Sequence, residues 1–207
     1  METDDEQVEK LKKWWQENGR SVVAGIIIGV GGLFGYRYWV DYQESQAEAA
    51  SVHFVQIMEA LESSNSATVV EQADTLISNY QGSEYATLAR FALARNFVEA
   101  GEYEQAQSQL QQIVGSVGDA PLSFLARKRL ALIQLQLSQS EAALATLSVE
   151  FPQAFSASVD ELKGDIYAHQ GKSKQAANAY RRALAATPGP ANGEFVQQKL
   201  EDLGSTG

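Results

Sequence analysis

Apolar residues are spaced in two distinct ways along the chain. From Ser21 to Tyr36 no charged side chain interrupts the sequence, and the apolar character continues to Val40 with Arg37 as the sole charge. After Gln43 the apolar and alanine positions recur at helical intervals instead, beginning with Ala47, Ala50, Phe54, Ile57, Met58 and Leu61. A continuous run predicts a segment surrounded by nonpolar material on every side, and a helical period predicts one buried face. Clusters of turn-forming residues then divide the second pattern: SSNS at 63–66, QGS at 81–83, AGE at 100–102, GSVGDAP at 115–121, QS at 139–140, FP at 151–152, QGKS at 170–173 and TPGP at 187–190. The segments between them are amphipathic and about twelve to twenty residues long, which predicts helix, turn, helix, repeated.

The apolar run can be assigned in three ways. As a dinucleotide loop it has Gly29 and Gly31, but Phe34 stands at the third glycine position and its bulk blocks close helix packing. As a cleaved leader it is too long, and Tyr36, Arg37, Tyr38 and Trp39 follow it where small residues are required; the first small-x-small pairs are Ser45 with Ala47 and Ala47 with Ala49. As a membrane span, 21–40 is about 30 Å of helix, flanked by Trp14 and Trp15 before it and by Tyr36, Tyr38, Trp39 and Tyr42 at its far end. Lys10, Lys12, Lys13 and Arg20 precede it and within 20 residues after it only Arg37 occurs, which predicts a cytoplasmic N-terminal segment at 1–20. Residues 41–207 are then expected across the membrane. Gly25, Gly29 and Gly32 share one helical face, where either a second helix packs closely or glycine is merely frequent, as in many membrane helices.

Within 41–207 the helical hairpins show a period. Ala73, Ala106, Ala143 and Ala176 are expected early in the second helix of successive hairpins, at separations of 33, 37 and 33, near the tetratricopeptide period of about 34 residues. Gly164, Tyr167, Gly171, Ala176, Tyr180, Ala183 and Pro188 keep that motif's small, aromatic and turn positions. An earlier unit keeps Leu93, Ala94, Phe97, Gly101, Tyr103 and Ala106, and another keeps Leu130, Ala131, Ala143 and Leu147 with Ser138 in place of glycine. The fold class expected is all-α: one transmembrane helix followed by a tetratricopeptide-like α-solenoid, closed by a helix over 191–203 with Phe195, Val196, Leu200 and Leu203 facing inward. Ordinary bundle core positions are the alternative explanation of the same spacing.

Composition narrows the chemistry. Cysteine is absent, which removes disulfides, thiolate nucleophiles and a lipid-bearing cysteine. Residues 41–207 hold 20 acidic against 11 basic side chains, so nucleic acid is not an expected partner. His53 and His169 stand apart from any ligand spacing, and no metal or cofactor is expected. No nucleophile elbow or S-x-x-K motif occurs, so no catalytic residue is nominated. Asp160, Glu161 and Asp165 fit an acidic helix start on a solvated surface, as Arg127, Lys128, Arg129, Arg181 and Arg182 fit solvent-facing charge.

Binding by shape remains. In a repeat of this kind the first helix of each hairpin lines a groove, nominating Leu88, Phe91, Arg95, Val98, Leu125, Lys128, Leu132, Leu135, Glu161, Asp165 and His169. The chain itself, through its first long helix or its C-terminal one, is the competing occupant of that surface.

The stretches "EQVEKLKKWWQENG", "GVGGLFGYRYW", "LALIQLQLSQSEAALATL" and "LKGDIYAHQGKSKQAANAYRRAL" resemble the YfgM family of gammaproteobacterial inner-membrane proteins over nearly the whole chain. The resemblance implies an ancillary subunit of the SecYEG translocon with a periplasmic repeat domain. It also implies association with PpiD, a membrane-anchored periplasmic chaperone, and transfer of unfolded secretory proteins, without cofactor or catalytic residues. Two other functions stay open: a scaffold for cell-envelope assembly complexes, and an anchored hydrolase relying on Asp160, Asp165 and His169.

Overall fold

A computed structural model describes residues 4–116 and 121–205, and among them every regular element is helical. Most of the turn expected at 115–121 lies outside the described residues. Helix α1 (Asp4–Glu62) is followed by α2 (Ser66–Asn79), α3 (Glu84–Glu99), α4 (Tyr103–Ser116), α5 (Pro121–Gln136), α6 (Ser140–Thr146), α7 (Ser156–His169), α8 (Ser173–Ala185) and α9 (Gly193–Ser205). The chain divides into two compact units, up to Ala49 and from Ala50 onward.

The first unit consists of the earlier part of α1. Its apolar side chains are largely uncovered among the described residues: Ile26, Ile27, Ile28, Leu33 and Phe34 are all more than half exposed. The helix satisfies its own backbone hydrogen bonds, so the only unmet demand of this surface is for a nonpolar surrounding. With a mean hydropathy of 1.4 over its most apolar window, α1 is the one helix among the described residues long and apolar enough to cross a membrane. Trp14 with Trp15 and Tyr36 with Trp39 form ring pairs at the two ends of the run, with centroids 6.5 and 6.4 Å apart.

Among the described residues the second unit is built from four hairpins and a closing helix. Each hairpin turns at one residue in the left-handed region: Ser64, Gly101, Ser138 and Gly171, with φ of 55°, 77°, 59° and 70°. After each turn residue the next N–H reaches back to a carbonyl of the last helical turn. Asn65 donates to Ala60, Glu102 to Phe97, Gln139 to Gln134 and Lys172 to Tyr167, at 2.7–2.9 Å. These are Schellman closures, which satisfy carbonyls a helix end would otherwise orphan. The spacing of the turn residues, 37, 37 and 33, defines the repeat.

That register corrects the first unit of the alanine series. Ala106, Ala143 and Ala176 are each fully buried, and their N–H groups bond to Glu102, Gln139 and Lys172 just before the helix begins. The residue making the same bond in α2, to Asn65, is Val69; Ala73 lies one turn further along, also fully buried. The alanine spacing does not reach Val69, because a β-branched residue stands where the other units carry alanine.

Two inward-facing assignments also change. Ala50, Ile57 and Leu61 of α1 are buried, with Phe54 packed beside them, but Met58 is 40% exposed. The stripe 50, 54, 57, 61 already fills the contact with α2, and Met58 falls off it. In α9, Val196 is buried with Leu200 and Leu203 against α8, whereas Phe195 is 55% exposed. Position 195 is about 100° around the helix from 196, outside the buried stripe.

Gly164 and Tyr180 explain the close crossing of α7 and α8. A Cβ added at Gly164 would overlap the Tyr180 ring, so the glycine makes room for the phenol. The third hairpin is different, because α6 stops after seven residues. The chain from 147 to 155 reaches the first turn of α5 instead, where Phe124, Phe151 and Phe155 form an aromatic trio with centroids 5.4–6.3 Å apart.

Candidate protein-binding site

Helices α3 and α5 are the first helices of adjacent hairpins, and between them lies a cavity of about 310 Å³. Four of the anticipated groove residues meet there: Phe91, Arg95 and Val98 from α3, and Leu132 from α5. Val98 and Leu132 are 38% and 47% exposed, an unusual position for aliphatic side chains facing one another across a cleft. Phe91 is nearly buried and forms part of the wall.

The remaining lining was not anticipated. Ala94, Leu110 and Ile133 complete the apolar surface, and Arg129 closes one side with its guanidinium carbon 5.0 Å from the centre of the Phe91 ring. Leu110 belongs to α4, so a rule that admits only first helices misses it. Sequence alone places Arg129 in solvent together with Arg127 and Lys128, whereas it lines the cleft. The available signal was its place one turn before Ile133 on a helix that carries no carboxylate.

The other nominated residues lie elsewhere. Leu125 is half-buried against the core shared by α3, α4 and α5, and Leu135 against that of α5, α6 and α7. Leu88 and Lys128 are half-buried outside the cavity lining. His169 is exposed at the end of α7, with Nδ1 3.3 Å from the Ser140 hydroxyl. His53 pairs through Nδ1 with Gln72 at 2.7 Å.

Glu161 and Asp165 are held by the closing helix. Lys199 of α9 donates to Glu161 Oε1 at 3.0 Å and to both Asp165 oxygens at 2.8 and 3.0 Å, while the Tyr180 hydroxyl donates to Asp165 at 2.7 Å. All three charged side chains are less than a third exposed. Asp160 is likewise engaged, accepting from the Arg182 guanidinium at 2.8 Å. These acids are therefore interhelical partners rather than a freely solvated surface. Burial alone would lower the Lys199 ammonium, but its hydrogen bonds to Asp165 and Glu161 outweigh that and hold it above its ordinary value. Burial, followed by the hydrogen bond to Asp165, pushes the Tyr180 phenol well up.

On α1, the positions of Gly25, Gly29 and Gly32 are open: a Cβ at any of them would meet no side chain within 4 Å. Among the described residues no three histidine, aspartate or glutamate side chains gather in a way that could hold a metal ion.

Comparison with known proteins extends over the same two parts of the chain. The tetratricopeptide repeat-like domain family matches residues 12–205. The chain is similar to the ancillary SecYEG translocon subunit of Escherichia coli K12, with 33% identity over 98% of this chain and 97% of that protein. The proteins of the same name from Haemophilus influenzae and Neisseria gonorrhoeae are 29% and 28% identical to it. The first match covers 87% of this chain and 88% of its relative, the second 97% of each.

Proposed function

Because the chain belongs to the tetratricopeptide repeat-like family of ancillary SecYEG translocon subunits, we propose that it serves the Sec translocon as a membrane-anchored adaptor. Residues 21–40 anchor it in the bacterial inner membrane, 1–20 remain in the cytoplasm, and 41–207 form a periplasmic repeat domain. That domain binds a membrane-anchored partner chaperone of the PpiD kind and unfolded secretory proteins, passing the latter onward. It acts by binding and not by catalysis. The observation carrying this reading is that the family match begins at residue 12 and ends at 205, taking in the apolar run and the repeats together.

The charge distribution supports the orientation. Lys10, Lys12, Lys13 and Arg20 precede the span and would be retained on the cytoplasmic side. The glycine face at Gly25, Gly29 and Gly32 is suited to a second membrane helix, because small residues let backbones approach. The repeat domain offers the cleft between α3 and α5 for reversible contacts.

Photocrosslinkers placed at Gly25, Gly29 and Leu132 in living cells test the proposal. Adducts with translocon subunits from the span, and with exporting chains from Leu132, are expected. Adducts confined to cell-wall or outer-membrane assembly proteins would replace it with an envelope scaffold. A reporter fused after residue 207 should be active only in the periplasm, and cytoplasmic activity would overturn the orientation.

A further inference from the structure

The cleft between α3 and α5 has a chemistry more specific than apolar contact. Its interior is made by Phe91, Leu110 and Ile133, and its mouth by Val98 and Leu132, yet two guanidinium groups stand beside it. Arg95 is paired at 2.7 Å with Glu99 on its own helix, where both side chains are about half exposed and the pair holds the arginine weakly. Arg129 lies over Phe91 and has no carboxylate within ion-pair distance among the described residues. Residues 121–136 carry Arg127, Lys128 and Arg129 and no acid, in a domain that is otherwise strongly acidic. A cavity of about 310 Å³ is at the small end of ligand pockets, sized for one or two side chains and not for the face of a helix.

We propose that this cleft takes an extended peptide segment in which an aromatic or aliphatic side chain lies next to a carboxylate. The apolar side chain enters between Val98 and Leu132, and the carboxylate meets the Arg129 guanidinium. Phe91 holds that guanidinium in place by contact with its face, so part of the ordering needed to bind an anion is already present. The domain's negative charge repels acidic segments elsewhere on its surface, and the α3–α5 cleft is where that repulsion reverses. The inference rests on the reading that the repeat domain binds exported chains, and it names which segments of them are held.

The test uses the full chain in detergent micelles and short fluorescein-labelled peptides followed by anisotropy. One peptide carries a central phenylalanine–aspartate pair, and its counterparts carry phenylalanine–asparagine and alanine–aspartate. The phenylalanine–aspartate peptide should bind about tenfold more tightly than either, the difference expected from a single charge-assisted hydrogen bond or one buried aromatic ring. Arg129→Met should reduce its binding about tenfold and that of the asparagine peptide by much less, with the thermal midpoint unchanged. Arg181→Met, on α8, should change nothing. Equal binding of the aspartate and asparagine peptides would overturn this inference alone, as would equal losses from Arg181→Met and Arg129→Met, which would mean a general field effect. If no peptide binds, the client-binding part of the proposed function falls with it.

Discussion

The hairpins α3–α4 and α7–α8 share a turn geometry and a buried alanine register but treat their first helices differently. On α7 the outer acids Glu161 and Asp165 are taken up by Lys199 of the closing helix, with Tyr180 completing the set. Among the described residues the corresponding region of α3 stays uncovered, with Val98 partly exposed and Arg129 of the neighbouring α5 without a carboxylate partner. One end of the repeat array is filled by the chain's own residues, and among the described residues the cleft in its middle is left open. A repeat protein needs a polar cap where stacking ends, because the last hairpin cannot bury its face alone. The cap uses the acids that would otherwise have been groove candidates.

The closed end breaks most severely at Gly164. Gly164→Val forces two methyl groups into the space of the Tyr180 ring, and we expect a loss of about 3 kcal/mol, seen as a lower urea midpoint for the repeat domain. The α3–α5 cleft should retain peptide binding at temperatures where the damaged protein is still folded.

Next in size is Lys199→Met. It leaves Glu161 and Asp165 without their cation at an interface only partly open to water, at a cost of about 2 kcal/mol. Hydrogen exchange should quicken in α9 and α8 and remain unchanged in α3. The same contact fixes a pH dependence. Lys199 and Tyr180 both have raised folded values, so their stabilising contribution is complete below their unfolded values of about 10 and is lost as pH rises through the folded values. Circular dichroism in alkaline solution should show α9 releasing above roughly pH 10, and Tyr180→Phe should reduce the slope.

A smaller gain is available on the open side. Ser138 adopts the left-handed conformation that Gly101 and Gly171 adopt without steric penalty. Ser138→Gly should therefore stabilise the α5–α6 turn by about 1 kcal/mol, read as a higher thermal midpoint, with Gly171→Ala moving the closed end by a similar amount in the opposite direction.

Much of this arrangement was legible in the residues. The apolar run, the flanking aromatics and the spacing of Ala106, Ala143 and Ala176 specify an all-helical chain with one candidate span and a hairpin repeat, because periodicity is a local property. What failed was information that depends on neighbours. Val69 was missed because burial at that turn position tolerates a larger side chain, and Phe195 was placed inward because its hydrophobicity carried no record of the angle separating it from Val196. The fate of Glu161 and Asp165 was set by Lys199, more than thirty residues away, and no local pattern announces that pairing. Four of the eight residues lining the cleft were anticipated; the rest include Arg129, a cation on a helix whose sequence carries no acid.

The finest distinction between the two regions lies in side chains that should not affect stability at all. Arg129 is exposed above the face of Phe91, and Leu132 is 47% exposed, so neither Arg129→Met nor Leu132→Ser removes a buried contact of the kind that holds hairpins together. Each should leave the unfolding free energy within about 0.5 kcal/mol of the parent. Crosslinking of exporting chains at the cleft should nevertheless fall, because a binding surface keeps partly unsatisfied groups that a structural interface would have paired. If instead Arg129→Met destabilises the domain as Lys199→Met does, the α3–α5 cleft is a packing element like the closed end. The contrast between a filled and an available surface would then disappear.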